Sequence, residues 1–323
     1  MVLAVVVLAV VCAASLAIGN RAIDPLDVIR ALTSGGANGT DDMVVVDLRL
    51  PRTLIGLGAG AALGLAGTLM QGLTRNPLAD PGLLGVNAGA SLAVVAAITF
   101  LGVSSPSSFI WFALAGAAVA TVLVYLVAAG RRGATPLGLT LAGTALTAGI
   151  TSVTTLLLLT NTQTLEQYRF WTVGSLVGRD LDTLSALLPF LGVGAVVALL
   201  LGRSLNLLAL GDDAARGLGG RIGRTRALAA VAIVLLCGSA TAIAGPIVFI
   251  GLVVPHVVRR FTGSDYRWIL PFSAVAGAAL LVTADIVGRV VVPPGELEAG
   301  LVVAVIGAPV MIALVRGSRE RAL

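Results

Sequence analysis

Apolar and polar positions alternate in long blocks along this chain. Apolar runs of about 18–24 residues recur over its whole length, each able to cross a hydrocarbon core of roughly 30 Å. Charged residues gather in the short intervals between the runs. Read run by run, the pattern predicts spans near 2–19, 53–73, 83–101, 109–129, 137–160, 183–201, 268–289 and 299–315. The first run lacks a basic n-region and a convincing small-residue cleavage site, so it reads as a span and not as a signal peptide.

The stretch 227–258 needs separate treatment. It holds 32 residues without an Asp, Glu, Lys or Arg, bounded by Arg226 and by Arg259 and Arg260. As one straight helix it would run ~48 Å, well beyond the membrane core. Arginine at both ends places both ends on the cytoplasmic side. Two short spans hinged near Gly245 and Pro246 satisfy both constraints. The total becomes ten.

Composition agrees with a lipid solvent. Mean hydropathy is +1.02, 57% of residues are apolar and 11% are charged, against about 25% charged in soluble domains. The net charge of +5 comes from scattered arginines with no basic stripe, which excludes a nucleic-acid surface. Every one of the 21 cationic residues is Arg. A phosphate-binding Walker loop requires Lys, so any ATP that drives this chain is hydrolysed by another polypeptide. Cys12 and Cys237 lie inside apolar runs and form no metal or disulfide pattern, and one histidine, His256, cannot build a metal site alone. No cofactor or metal is expected in this chain.

With ten spans and both termini cytoplasmic, inner intervals hold 14 of the 21 arginines: Arg75, the pair at 131–132, the five between 203 and 226, the pair at 259–260, Arg267 and the three after 315. The remaining seven are outside, a bias that supports this orientation. Gly56, Gly60 and Gly64 recur every four residues in the second span, a side-chain-free ridge for close helix contact. Asp285 interrupts an apolar run, where a charge is costly. It is either functional or an Arg-paired packing group.

Four ordered segments carry more specific information. The first runs from Arg49-Leu50-Pro51-Arg52 through Gly67 and Met70-Gln71 to Arg75-Asn76-Pro77-Leu78-Ala79-Asp80-Pro81 and Gly85-Val86. The second is Trp171-Thr172-Val173-Gly174-Ser175. The third is Leu210-Gly211, Ala214-Ala215 and Leu218-Gly219. The fourth runs from Gly245-Pro246 to Leu252, then Pro255-His256, Arg259, Asp285, Arg289 and Gly307-Ala308-Pro309. Together they resemble the iron-siderophore/cobalamin uptake permease family of ABC importers over nearly the whole chain. One departure stands out: Glu298 occupies the place of a usual proline, which puts the local geometry there in question.

The resemblance implies an all-α polytopic membrane protein with the type II ABC importer permease fold, a single transmembrane domain over 1–323 with a coupling loop near 203–226. It implies a multi-pass subunit of a bacterial cytoplasmic membrane that carries a metal chelate, most simply a ferric siderophore, with cobalamin or haem as alternatives. Its partners would be a second permease subunit, identical or paralogous, two ATPase subunits, an extracytoplasmic substrate-binding protein and the lipid bilayer.

Residue roles follow from the same resemblance. Asn76 and Leu78, with Thr135 as a looser match, would form a cytoplasmic gate; by local chemistry alone the first pair reads as an Asx-Pro turn. Leu210, Gly211, Asp212, Ala214, Ala215, Arg216, Leu218 and Gly219 would form the helix that couples to the ATPase. Asp212 suits an N-cap there and Gly219-Gly220 a stop, although the same residues fit a helix lying on the membrane surface. Arg49, Arg52 and Arg289 at outer helix ends would dock acidic residues of the binding protein, or else anchor the chain at the interface. Glu296 reads only as an outer-loop carboxylate, and His256 as a structural hydrogen-bonding or capping group.

Two other classes compete. An intramembrane protease would need Ser175 or Ser239 within reach of His256. An ion-coupled secondary transporter would need ionisable groups at the midplane of broken helices, and Asp285 is the obvious candidate.

Overall fold

The computed structural model describes residues 1–34, 39–130 and 133–319. Arg131, Arg132 and Arg321, counted above among the inner arginines, lie outside the described residues.

Apolar runs become helices between local start and stop signals. Proline opens Pro106–Ala128 and Pro136–Thr160, where its missing N–H costs nothing. Asp180 caps Leu181–Leu200 by accepting the Thr183 N–H at 2.7 Å, and Asp265 caps Tyr266–Val291 by accepting the Arg267 N–H at 2.9 Å. The Arg267 guanidinium, followed by the Asn206 amide, holds the Asp265 carboxyl well below the usual carboxylate range. Asn206 thereby fastens the short helix Gly202–Ala209 to the start of Tyr266–Val291.

Among the described residues, six helices are long and apolar enough to cross a membrane: Thr40–Thr74, Ser107–Ala128, Pro136–Thr160, Leu181–Leu200, Ile222–Ala244 and Tyr266–Val291. Val2–Ala17, Val86–Leu101 and Ala299–Ala313 are shorter apolar helices. The expected hinge near Gly245 and Pro246 divides 227–258 into two legs, but they are unequal. Ile222–Ala244 is a full crossing, but Ile250–Thr262 has only 13 residues and covers ~20 Å. Non-helical backbone at 245–249 supplies the rest, with Gly245 and Ile247 buried, Pro246 and Phe249 half-buried and Val248 exposed.

Consecutive legs run antiparallel. Ser15 Oγ and Thr53 Oγ1 are 2.8 Å apart, so the first helix ends where Leu50–Thr74 begins. Gly300 N–H donates to the Gly174 carbonyl at 2.9 Å, which sets the start of the last helix beside the Trp171 motif at that same end. This is called the Arg52 end below. The first helix begins, and the last helix finishes, at the opposite end, named for Asp212.

The glycine ridge holds the centre. A methyl at Gly60 would come within 2.5 Å of the Gly277 carbonyl oxygen, and one at Gly64 would overlap the Ser273 carbonyl. These contacts step antiparallel along Tyr266–Val291, whose small residues meet the ridge backbone to backbone. One turn further, Gly67 packs on Gly251 of the broken leg. Leu50–Thr74 is consequently buried over nearly its whole length.

Several elements escaped the hydropathy pattern because they do not cross. Pro25–Ser34 and Thr162–Thr172 are short helices near the Arg52 end, and Ala129–Gly130 pairs with Gly133–Ala134 as a small antiparallel ladder. The second span also continues as helix back to Thr40 through a wide π-type turn at Val44–Arg49. Glu298, at the proline position, leaves the helix start intact: its carbonyl accepts from Leu301 and Val302 and the last helix starts at Ala299, while its Oε2 is buried without a hydrogen bond among the described residues.

Candidate functional site

Two charged clusters occupy the two ends. At the Arg52 end, the first helix has no basic residue in its own last turn, so its terminal carbonyls need outside donors. Arg289 Nη1 donates to the Ser15 carbonyl at 2.7 Å, and Arg49 Nη1 donates to the Leu16 carbonyl at 2.7 Å. A second Arg49 nitrogen reaches the Arg21 carbonyl.

Asp285 joins the remaining charges. Its Oδ1 accepts from Arg52 Nε at 2.7 Å and its Oδ2 from Arg289 Nε at 3.0 Å. Arg52 Nη1 then donates to Glu296 Oε2 at 2.6 Å. Two guanidiniums, Arg52 and Arg289, thus share two carboxylates, while Arg49 is held by backbone carbonyls alone among the described residues. Together with Asn20, Arg21 and Gly178, the three arginines and Glu296 line one open cavity of about 340 Å³.

The three arginines read in sequence as outer-end groups are therefore one assembly, with a correction to their exposure. Arg49, Arg52 and Arg289 are 6%, 9% and 2% exposed, so they do not snorkel to the interface or stand out as rim charges. The helix carbonyls and Asp285 draw them inward. Of the two readings of Asp285, arginine pairing is the one the geometry carries; an ion-coupling carboxylate at the midplane is not what stands here. Glu296, left without a role in sequence, is the second acceptor. An acid inside an apolar run demands a partner, and that was the sequence signal for the pairing of Asp285.

At the opposite end, Asp212 opens the short helix Asp212–Gly217. The expected N-cap is corrected: Gly211, at φ 101°, occupies that position without a side-chain bond, and Asp212 is already helical. Its carboxylate is free to accept Arg75 Nη2 at 2.6 Å and Arg226 Nη2 at 2.9 and 3.0 Å. The glycine stop holds, since Gly219 is at φ 79° and Gly220 N–H returns to the Ala215 carbonyl at 2.8 Å. Ala215 is buried underneath, while Ala214 and Arg216 face out, Arg216 paired only with neighbouring Asp213. Leu210 and Leu218, flanking the helix, are 61% and 63% exposed.

Beside this helix lies the Asn76 turn. Asn76 Oδ1 accepts the Leu78 N–H at 2.9 Å, so the local Asx-turn reading is correct as geometry, and Leu78 projects outward. Thr135 Oγ1 accepts the Gly138 N–H at 3.1 Å and caps Pro136–Thr160. Among the described residues no hydrogen bond joins Thr135 to Asn76 or Leu78. They are linked instead through the turn Pro81–Leu84, whose Leu83 carbonyl packs on Gly143.

The Trp171 motif serves the broken leg. Ser175 N–H donates to the Ala244 carbonyl at 2.8 Å, and a side chain at Gly245, itself at φ 77°, would overlap the Trp171 carbonyl. Ser175 Oγ accepts the Val177 N–H, and His256 Nδ1 is buried without a partner. No Ser–His hydrogen bond forms among the described residues.

An arginine-lined cavity at one end, a glycine-stopped helix between exposed leucines at the other, and a broken leg between them make an ordered set, and it matches a known pattern. The FecCD transport family matches residues 7–317. This chain belongs to the FecCD transport family. It is 52% identical over 311 residues to the ferric enterobactin transport system permease protein FepD of Escherichia coli, covering 96% of this chain and 92% of that protein. It is 45% identical over 313 residues to the siderophore transport system permease protein YfiZ of Bacillus subtilis, covering 96% and 93%. A solved structure described as a metal-chelate type ABC transporter in an inward-facing conformation superposes with a TM-score of 0.84 at 28% identity, covering 97% of both chains. The chain is thus the membrane-embedded permease of an ABC importer and not an enzyme. Such a permease works with ATPase and substrate-binding partners in a bacterial membrane.

Proposed function

We propose that this permease carries a ferric siderophore across the cytoplasmic membrane, with its Arg52 end outside and both termini in the cytoplasm. The carrying observation is the 52% identity to a ferric enterobactin permease over nearly the full chain, against 36% to the hemin permease HmuU of Yersinia pestis. A strain lacking its own siderophore permeases should regain uptake of ferric enterobactin when this chain is supplied with its partners. Uptake of hemin but not of that chelate would reverse the choice.

The residue roles have geometric support. The 340 Å³ cavity is lined by the guanidiniums of Arg21, Arg49, Arg52 and Arg289 against the one carboxylate of Glu296, and the surplus positive charge suits an acidic side chain of a binding protein. The exposed leucines around Asp212–Gly217, with Arg216 facing out, suit a groove on an ATPase. Asn76, Leu78 and Thr135 stand at the same end, as a cytoplasmic gate would. The whole chain acts as one permease domain with its coupling loop at 203–226, needing no cofactor of its own. Pro136–Thr160 is the least buried of the six long apolar helices and exposes Thr144 and Ser152. Those hydroxyls suit a second permease subunit or a wet pathway better than lipid tails, and two permeases with two ATPases complete the importer.

A further inference from the structure

We infer that Arg75 is a positioning residue of the transport cycle, tying the Asn76–Leu78 turn to the helix Asp212–Gly217 so that displacement of the helix moves the turn. The inference rests on the coupling and gate roles proposed above.

The first observation is backbone strain. Arg75 ends the Leu50–Thr74 helix in the left-handed region at φ 53°, ψ 31°. Glycine or asparagine is the usual occupant of such a stop, because a Cβ is unfavourable there. A residue held in that region against its preference points to a requirement for its side chain. The Arg75 side chain reaches Asp212 at 2.6 Å, across 137 residues of chain.

The second observation is what Asp212 does with its other contacts. It receives Arg226 on both oxygens, so its carboxylate is fixed to the second turn of Ile222–Ala244 as well as to its own helix. One carboxylate therefore joins the coupling helix, the base of a transmembrane helix and the residue before Asn76. Arg75 and Asp212 are each a quarter to a third exposed, so the bond can break and re-form during a cycle.

The third observation is that the turn moves as a unit. Arg75 and Asn76 both donate their N–H groups to the Gln71 carbonyl. Asn76 then closes the turn through its side chain on Leu78 and its carbonyl on Ala79. Gln71 Nε2 donates to the Leu252 carbonyl at 3.1 Å, which holds the other side of the same helix end on the broken leg. A pull on the Arg75 guanidinium is thus transmitted to Leu78 through a short, hydrogen-bonded segment with a fixed far side.

The test uses the assembled transporter in proteoliposomes. Leu78→Cys is the reporter, with Cys12 and Cys237 replaced by serine, and its maleimide labelling rate is read with and without vanadate trapping of ATP. With Arg75 intact the rate should change about tenfold; Arg75→Gln should reduce the change to less than about twofold while ATP hydrolysis stays within about twofold, and Arg75→Lys should restore part of it. Asp212→Asn breaks the same bond from the other side and should give the same loss of response. If Arg75→Gln leaves the full response, or only Asp212→Asn removes it, the Arg75 link is wrong. If Leu78→Cys does not respond even with Arg75 intact, the gate reading itself falls and this inference falls with it.

Discussion

Arg52 Nε meets Asp285 Oδ1 at 2.7 Å across 233 residues of chain, and the second Asp285 oxygen is taken by Arg289. The pairing accounts for an acid inside an apolar run: Asp285 meets two buried arginines and fixes the direction of both. Arg289 spends its other donors on the end of the first helix, so the same carboxylate indirectly fixes the N-terminal helix to the bundle.

Removing Asp285 should therefore destabilise the fold through its partners. Asp285→Ala leaves two buried guanidiniums short of an acceptor, and breaking a buried pair from one side costs about 3–5 kcal/mol. Asp285→Asn retains one oxygen as an acceptor and should cost less. Thermal unfolding followed by size-exclusion in detergent reads both, and an unchanged Asp285→Ala transition would show that the cluster contributes no stability.

The glycine contacts make an opposed pair of predictions. Gly64→Val drives methyls into the Ser273 carbonyl and should cost at least about 1–3 kcal/mol by forcing two helices apart. Gly149→Ala, with nothing within 4 Å of the added methyl, should be neutral or stabilising by about 0.5–1 kcal/mol. The same unfolding measurement decides; equal shifts would mean that the ridge is not tightly packed.

These residues also mark how far the sequence could be read. The ridge, the glycine stop after Asp212–Gly217 and the break at Gly245 were legible because each depends on neighbours within one or two turns. The Asp285–Arg289 half of the charged cluster is an i,i+4 pair within one helix, but the Arg52–Asp285 half was not legible, since helical periodicity carries no information about which helix lies opposite at 233 residues' distance. The three arginines were visible as a set only through family resemblance, and their burial was hidden because it depends on the carbonyls of the first helix. The π-type turn before Arg49 and the short helix Thr162–Thr172 likewise depend on tertiary contacts, such as the burial of Trp171.

Sidedness follows from where the two ends lie. In a chain without native cysteines, Leu26→Cys and Leu218→Cys are both highly exposed reporters. An impermeant maleimide added to intact spheroplasts should label the first and spare the second. Labelling of both from one side would overturn the proposed orientation.

ATP hydrolysis should require a second polypeptide. Purified alone, this lysine-free chain should show no ATPase activity above background, and activity should appear on adding the partner ATPase. Arg216 faces outward on Asp212–Gly217 and is held only by Asp213, so Arg216→Glu should weaken assembly, by about tenfold in affinity for a partly exposed interfacial charge. Pull-down with the tagged ATPase measures this, and full recovery of the complex would remove the helix from the interface.

The docking prediction is altered by the burial of the arginines. A binding protein that engages Arg52 has to insert its carboxylate into the 340 Å³ cavity, beside Glu296 and not across an open rim. An exposed rim pair would mainly affect encounter rate and would be strongly screened by salt; a pair formed inside the cavity affects dissociation, and its truncation costs about 2–5 kcal/mol. Arg52→Gln should accordingly raise the dissociation rate of the loaded binding protein by at least about thirtyfold, with a much smaller change in association rate. Arg52→Glu would add a third carboxylate to the cluster and should abolish docking, and Glu→Arg changes on the binding protein should recover part of the loss. Because Arg52 also braces Asp285, each variant is first checked for an unfolding temperature that keeps it folded in the assay and for unaltered basal ATPase activity in the complex. Surface plasmon resonance at low and high salt then separates the cases. If a folded Arg52→Gln variant binds the loaded protein with unchanged dissociation at both salt concentrations, the cavity is a structural brace for the first helix and docking occurs elsewhere on the outer face.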